Sequence, residues 1–113
     1  MTATRGKNKI GQAARGSETG RPIMVLFDVL GQRWTLRILW ELRDGRLTFR
    51  QLQDRCEKVS PTLLNKRLKE LREMQLIDHE QGGYGFTDLG QELGKQLAGF
   101  SSWSNKWAKA LES

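Results

Sequence analysis

Between Ser60 and Met74 the chain reads SPTLLNKRLKELREM, and four side chains in it could recognise a polyanion. At about 100° per residue, Thr62, Lys66 and Lys69 fall on one side of a helix, with Asn65 at its edge. Hydroxyl, amide and ammonium groups standing together near a helix N-terminus can read base edges and hold phosphates. The same pattern also describes an ordinary amphipathic helix with a solvated basic back. The helix alone leaves both readings open, so the elements around it have to decide.

Little else in the chain is suited to chemistry. With one cysteine, Cys56, and one histidine, His79, it can form neither an internal disulfide nor a four-ligand zinc site. Asp78, His79 and Glu80 are adjacent, and in a strand their side chains alternate between faces rather than converge. No acid–base pair or nucleophile–base pair is recognisable. The expectation is a protein that is not an enzyme and carries no metal and no cofactor. Cys56 follows Phe49 and Leu52 at helical spacing and reads as a small buried hydrophobe, because a redox sensor needs a lowered thiol pKa.

Charge separates the chain more sharply than its net value of +6. Residues 1–21 carry five basic residues against one acidic, residues 33–72 eleven against five, and residues 73–113 three against six. Basic charge is thus concentrated in the tail and in the segment that ends in the Ser60 helix, which points to a polyanionic partner. No apolar run approaches a membrane span, and no charged-then-apolar leader is visible, so a cytoplasmic location is expected. At 113 residues the chain is one domain with a modest core.

After the initiator Met, the residues up to 20 hold Ile10 as their only large apolar side chain and read as disordered, so that 1–21 forms a basic N-terminal tail ahead of a domain over 22–113. Pro22 opens a short helix with Met24, Leu26, Phe27 and Leu30 as its dense apolar cluster, and Gly31 closes it. A second helix is predicted over Trp34 to Leu42, with Ile38, Leu39 and Leu42 on one side. Trp34 and Trp40 lie about 240° apart in phase and cannot share the centre of one face, so one of them meets a second surface. Thr48-Phe49-Arg50-Gln51 matches a capping box and starts a helix through Cys56. Glu57-Lys58-Val59 turns into the Ser60 helix.

Beyond Met74, residues 76–80 can run extended, Gln81-Gly82-Gly83 supplies a tight turn, and residues 84–87 return as a hairpin. Thr87 then caps a last long helix. Leu89, Leu93, Leu97, Phe100, Trp103, Trp107 and Leu111 form one stripe along it, more apolar surface than a peripheral helix of so small a domain needs. The distal half, Leu97 to Leu111, is expected to meet a partner subunit together with residues 23–30, chiefly Leu26 and Phe27. Packing against the chain's own core is the other account of that stripe. Two helices joined by a three-residue turn make a helix-turn-helix, and a following hairpin makes it winged. The fold class is therefore mainly α with a small β-hairpin, a winged helix-turn-helix whose recognition helix is 60–74.

The residues also resemble a known family. Leu30-Gly31-Gln32-Arg33-Trp34-Thr35 is similar to the motif Leu-Gly-Gly-Lys-Trp-Thr of the HxlR-type winged-helix regulators of the MarR-like superfamily. Ile38-Leu39-x-x-Leu42, Gly45 and Phe49-x-x-Leu52 continue the match. Ser60-x-x-x-Leu64-x-x-Arg67-Leu68-x-x-Leu71, Leu76-Ile77 and Tyr84-x-x-Thr87-x-x-Gly90 complete it. The resemblance implies a bacterial transcriptional regulator that is a homodimer through its first and last helices and sets its recognition helices in successive major grooves. The chain departs from the family in three places. Arg21 stands where members often carry a sensing cysteine. The hairpin is short and acidic, without the Pro-Arg tip of the family's wing. Gln32 replaces a glycine.

In that setting, Thr62, Asn65 and Lys66 are the candidates for base edges, since Asn suits adenine and Lys suits guanine. Ser60 offers a hydroxyl and, with Thr62, backbone N–H groups at the positive end of the helix dipole, suited to a phosphate. Lys69 and Arg50 would hold the DNA backbone. Arg67, beside the core stripe, could pair either with a carboxylate of the protein or with a phosphate. The partner is then double-stranded DNA. The alternative is a winged-helix protein–protein interaction module with weak or non-specific DNA binding. A small-molecule effector would find walls in Trp40, Trp103 and Trp107, in a groove between subunits, although dimer core accounts for the same residues.

Overall fold

The computed structural model of the chain describes residues 20–113. The expected basic tail over 1–21 therefore lies almost wholly outside the described residues. The order is α1 (Pro22–Leu30), α2 (Thr35–Glu41) with a 3-10 turn (Leu42–Asp44), α3 (Phe49–Arg55), α4 (Pro61–Glu73), β1 (Ile77–Glu80), β2 (Gly83–Phe86) and α5 (Asp88–Glu112). Helices α3 and α4 form the helix-turn-helix, and the antiparallel pair β1–β2 forms the wing.

Three helices start where a side-chain oxygen meets an otherwise unsatisfied amide. Thr48 and Gln51 cap α3 reciprocally, with Gln51 N–H donating to Thr48 Oγ1 at 3.1 Å and Thr48 N–H to Gln51 Oε1 at 2.9 Å. Ser60 Oγ accepts from the Leu63 amide at 3.1 Å, and Pro61 fills the first turn of α4. Thr87 Oγ1 accepts from Gly90 N–H at 3.0 Å and donates to the carbonyl of Gln75 at 2.7 Å, which ties the start of α5 to the end of α4. Each such cap stabilises its helix by about 1 kcal/mol.

The core collects Ile38, Leu39 and Leu42 from the α2 segment, Leu52 and Cys56 from the α3 segment, and Leu64, Leu68 and Leu71 from α4. Ile77 and Tyr84 close it from the wing. From α1 it is Val25 and Val29, one helical turn apart, that are fully buried; Phe27, expected in the apolar cluster, is exposed. Trp34 precedes α2 rather than opening it, with a left-handed φ of 76° that swings its ring onto the core. Trp40 instead faces outward, so the two tryptophans do meet different surfaces. Gln32 Nε2 donates to the Asp28 carbonyl at 3.3 Å, a local role in closing α1 for the residue that departs from the family motif.

The wing differs from expectation by one residue. Its turn is Gln81-Gly82, and Gly83 already belongs to β2, opposite Glu80. Gly83 has a φ of 117°, and a Cβ there would collide with the Leu47 carbonyl, so only glycine lets the link before α3 lie against the strand. Leu47 and Tyr84 use that approach to exchange two backbone hydrogen bonds, of 3.0 and 2.8 Å.

Candidate nucleic-acid interface

Helix α4 has two chemically distinct faces. Leu64, Leu68 and Leu71 are buried, and Arg67 is buried beside them. The Arg67 guanidinium donates from Nε to the Arg33 carbonyl at 2.7 Å and from an Nη to Glu70 Oε1 at 3.2 Å. Of the two roles open to Arg67, the structure selects pairing within the protein, where it locks α4 to the loop before α2. On the opposite face Thr62, Asn65, Lys66 and Lys69 are all exposed. Their spacing places them on one ridge, with Arg50 also exposed on α3.

Ser60 serves the fold first. Its oxygen is engaged by Leu63, and Pro61 has no N–H, so the backbone donors expected at this helix start reduce chiefly to Thr62. The Ser60 hydroxyl proton remains able to donate.

The turn that aims α4 is held from three sides. Glu57 and Lys58 both adopt left-handed backbone, with φ of 57° and 59°. Lys58 N–H donates to the Gln53 carbonyl at 2.8 Å, and Gln53 Nε2 donates to the Val59 carbonyl at 3.0 Å. From α2, Arg37 donates to the Arg55 carbonyl at 2.6 Å and pairs with Glu41 at 2.8 Å and Glu57 at 3.2 Å. The Glu41 and then the Glu57 carboxylate hold this guanidinium even more firmly protonated than usual. The sequence offers Arg37–Glu41 at helical spacing, but not the contacts to Arg55 and Glu57, which lie 18 and 20 residues away and carry no periodicity.

The acidic wing is internally compensated. Arg46 pairs with Asp78 at 2.6 Å and Glu80 at 3.4 Å, and donates to the Gly83 carbonyl at 2.9 Å. His79 stacks on Tyr84 at a ring separation of 4.1 Å. The three adjacent residues thus work in the hairpin's own structure, with Asp78 and Glu80 sharing Arg46 on one side and His79 stacked on Tyr84 apart from them.

A large apolar surface is left uncovered. Phe100, Trp103, Trp107 and Leu111 are 64%, 61%, 51% and 67% exposed along α5, and Phe27 is exposed on α1. Leu26 and Leu97 are half-buried, and Leu97 packs against the chain's own core. Ile23 and Leu36 are also exposed, two apolar positions that the stripe on α5 gave no reason to single out. Trp103 and Trp107 stack at 5.9 Å. Within one chain, Trp40 faces a groove between α2 and α5, and the Trp103–Trp107 pair lines another farther along α5.

Cys56 is fully buried, and loss of solvent pushes its thiol up from its ordinary value, against a smaller opposing pull from Arg37. A thiol-reactive disulfide reagent is expected to leave the native chain unmodified and to label it only in denaturant; rapid stoichiometric labelling of native protein would contradict this. The fold retains the neutral thiol, so this contribution is intact below the ordinary thiol pKa and is lost as pH rises through the raised one. Among the described residues no helix is long and apolar enough to cross a membrane.

Comparisons with known proteins agree with this geometry. The HxlR-like helix-turn-helix family model matches residues 29–112. An uncharacterised HTH-type transcriptional regulator of Methanocaldococcus jannaschii is 31% identical over 91 residues, spanning 77% of this chain and 86% of that one. The crystal structure of quinone-bound YodB from Bacillus subtilis superposes with a TM-score of 0.67 at 26% identity, covering 74% of this chain and 96% of that one. A possible HxlR family transcriptional factor from Thermoplasma volcanium gives a TM-score of 0.68 at 22% identity, covering 78% of this chain and 85% of that one, and shares the fold.

Proposed function

Because the chain belongs to the HxlR-like helix-turn-helix family of transcriptional regulators, we propose that it binds specific DNA sequences as a homodimer, with α4 in the major groove. The observation that carries this reading is the division of α4. One face is fixed to the core through leucines and Arg67, and the other presents Thr62, Asn65, Lys66 and Lys69 to solvent. A helix held this rigidly loses little backbone freedom when it offers its base-reading groups, so that ordering of the exposed side chains is the main entropic cost of binding. In this reading Thr62, Asn65 and Lys66 meet base edges, and Ser60, Lys69 and Arg50 meet phosphates. The compensated wing adds little positive charge, so the helix carries most of the binding.

The experiment is a salt titration on an operator recovered by random-oligonucleotide selection. With about four phosphates neutralised per protomer, the log of the binding constant should fall with log salt at a slope near −7. A shallow slope with no preferred sequence would instead favour a protein–protein interaction module.

The dimer would form through α1 and α5, with Leu26, Phe27, Leu97, Phe100, Trp103, Trp107 and Leu111 at its interface. Fully burying each large side chain contributes about 1.5–3 kcal/mol, which the isolated domain forgoes at the exposed Phe27, Phe100, Trp103, Trp107 and Leu111. Trp103→Glu is expected to sediment as a folded monomer where the parent sediments as a dimer. Two dimers would refute the α5 interface. The buried, raised thiol of Cys56 argues against thiol-based effector sensing in this chain.

A further inference from the structure

The groove between α2 and α5 has a volume of about 350 Å³, within the range of small-ligand sites. Its walls include Leu39 and Trp40 from α2, Phe86 from β2, and Leu93 and Leu97 from α5. Gly94 leaves part of the α5 wall without a side chain. Arg43 is the one charged residue that lines it. The Arg43 guanidinium sits 3.8 Å over the Trp40 ring. It donates to the Trp40 carbonyl at 2.9 Å, and its nearest carboxylate, Asp44, lies 3.7 Å away and is 79% exposed. A guanidinium has five N–H donors, so most of this fork remains available at the rim of an apolar, acid-free groove. Such a setting favours a ligand with a flat apolar body and a single negative charge.

We infer that this groove binds a small aromatic carboxylate, its ring system against Trp40 and Phe86 and its carboxylate paired with Arg43. The charge complementarity at the mouth selects this occupant over a neutral hydrophobe. Leu97 and Phe100 line this groove and also belong to the proposed dimer surface, so a second copy of the chain is the competing occupant, read out by the oligomeric state of Gly94→Leu. The regulatory meaning of the site rests on the proposed DNA-binding function, although binding itself does not. Leu39 and Trp40 face the groove, while Arg37 and Glu41 of the same helix hold the end of α3. A ligand that displaces α2 therefore bears on the helix-turn-helix directly.

The test titrates the full chain, without DNA, with naphthoate and its neutral counterpart naphthamide, following tryptophan emission and heat. Naphthoate is expected to bind saturably, one per protomer, at least tenfold more tightly than naphthamide. Arg43→Gln should bring naphthoate down to the affinity of the amide. Gly94→Leu, which fills the groove with a good helix former, should abolish both while leaving the melting temperature equal or higher. No saturable binding by the parent, equal affinity for acid and amide, or unchanged binding by Arg43→Gln would each overturn the proposal. So would conversion of a dimer to a folded monomer by Gly94→Leu, because the groove would then be a subunit contact. Expected ligand binding by a chain that prefers no DNA sequence would support the site and remove the regulator reading.

Discussion

Asn65→Ala combined with Lys66→Ala is expected to erase sequence preference, a loss of at least about 10³-fold in the ratio of specific to non-specific affinity. Both side chains are exposed, and neither makes a hydrogen bond or ion pair with another side chain among the described residues. Each well-formed base pair contact discriminates by about 1–3 kcal/mol, and a homodimer makes every contact twice. The double variant therefore removes most of the margin that separates an operator from bulk DNA. Residual binding should persist through Ser60, Lys69 and Arg50, with a shallower salt slope because one cation per protomer is lost. Stability should stay within about 0.5 kcal/mol, since the inner face of α4 is untouched. A random-oligonucleotide selection that returns the same ranked sequences would move the readout to other residues.

Gly90→Ala is expected to act on the fold itself, lowering stability by about 3 kcal/mol and the melting temperature by roughly 15 °C. A Cβ at Gly90 would collide with the carbonyl of Leu76, and neither side can yield cheaply. That carbonyl already accepts from Thr87 N–H at 3.2 Å, while Leu76 N–H donates to the Leu71 carbonyl at 3.0 Å. The first turn of α5 is thus pressed onto a hydrogen-bonded backbone junction between α4 and β1. Gly99, in the same helix, supplies the control. Nothing lies within 4 Å of a Cβ built there, so Gly99→Ala should stabilise by about 0.5–1 kcal/mol through backbone entropy alone. Denaturant melts that show the two variants equally stable would refute the close approach at Gly90.

The caps at Thr48, Ser60 and Thr87, the leucine spacing of α4 and the apolar stripe of α5 were legible because each is local, set within one or two helical turns. The candidate base-reading side chains were legible for the same reason: periodicity tells which residues share a face. It does not tell what that face meets. The destination of Arg67 depended on the Arg33 carbonyl, 34 residues away, and the pairing of Asp78 and Glu80 depended on Arg46. The left-handed Trp34 was hidden because its residue type rarely takes that backbone conformation. Val25 and Val29 were not legible because Met24, Leu26, Phe27 and Leu30 make α1 apolar on several sides, so no single stripe marks its inward face.

The paired hydrogen bonds between Leu47 and Tyr84 have a consequence for how this small domain opens. A two-stranded hairpin is barely stable by itself in water. Here its inner strand borrows a third backbone partner from the link that leads straight into the Thr48 cap of α3. Separating the wing would strip that link of its partners, and the wing therefore shares the fate of α3 on the timescale of amide exchange. Wing and helix-turn-helix are expected to exchange their amides as one cooperative unit, and wing amides that exchange much faster than those of α3 would show a loosely hinged flap instead.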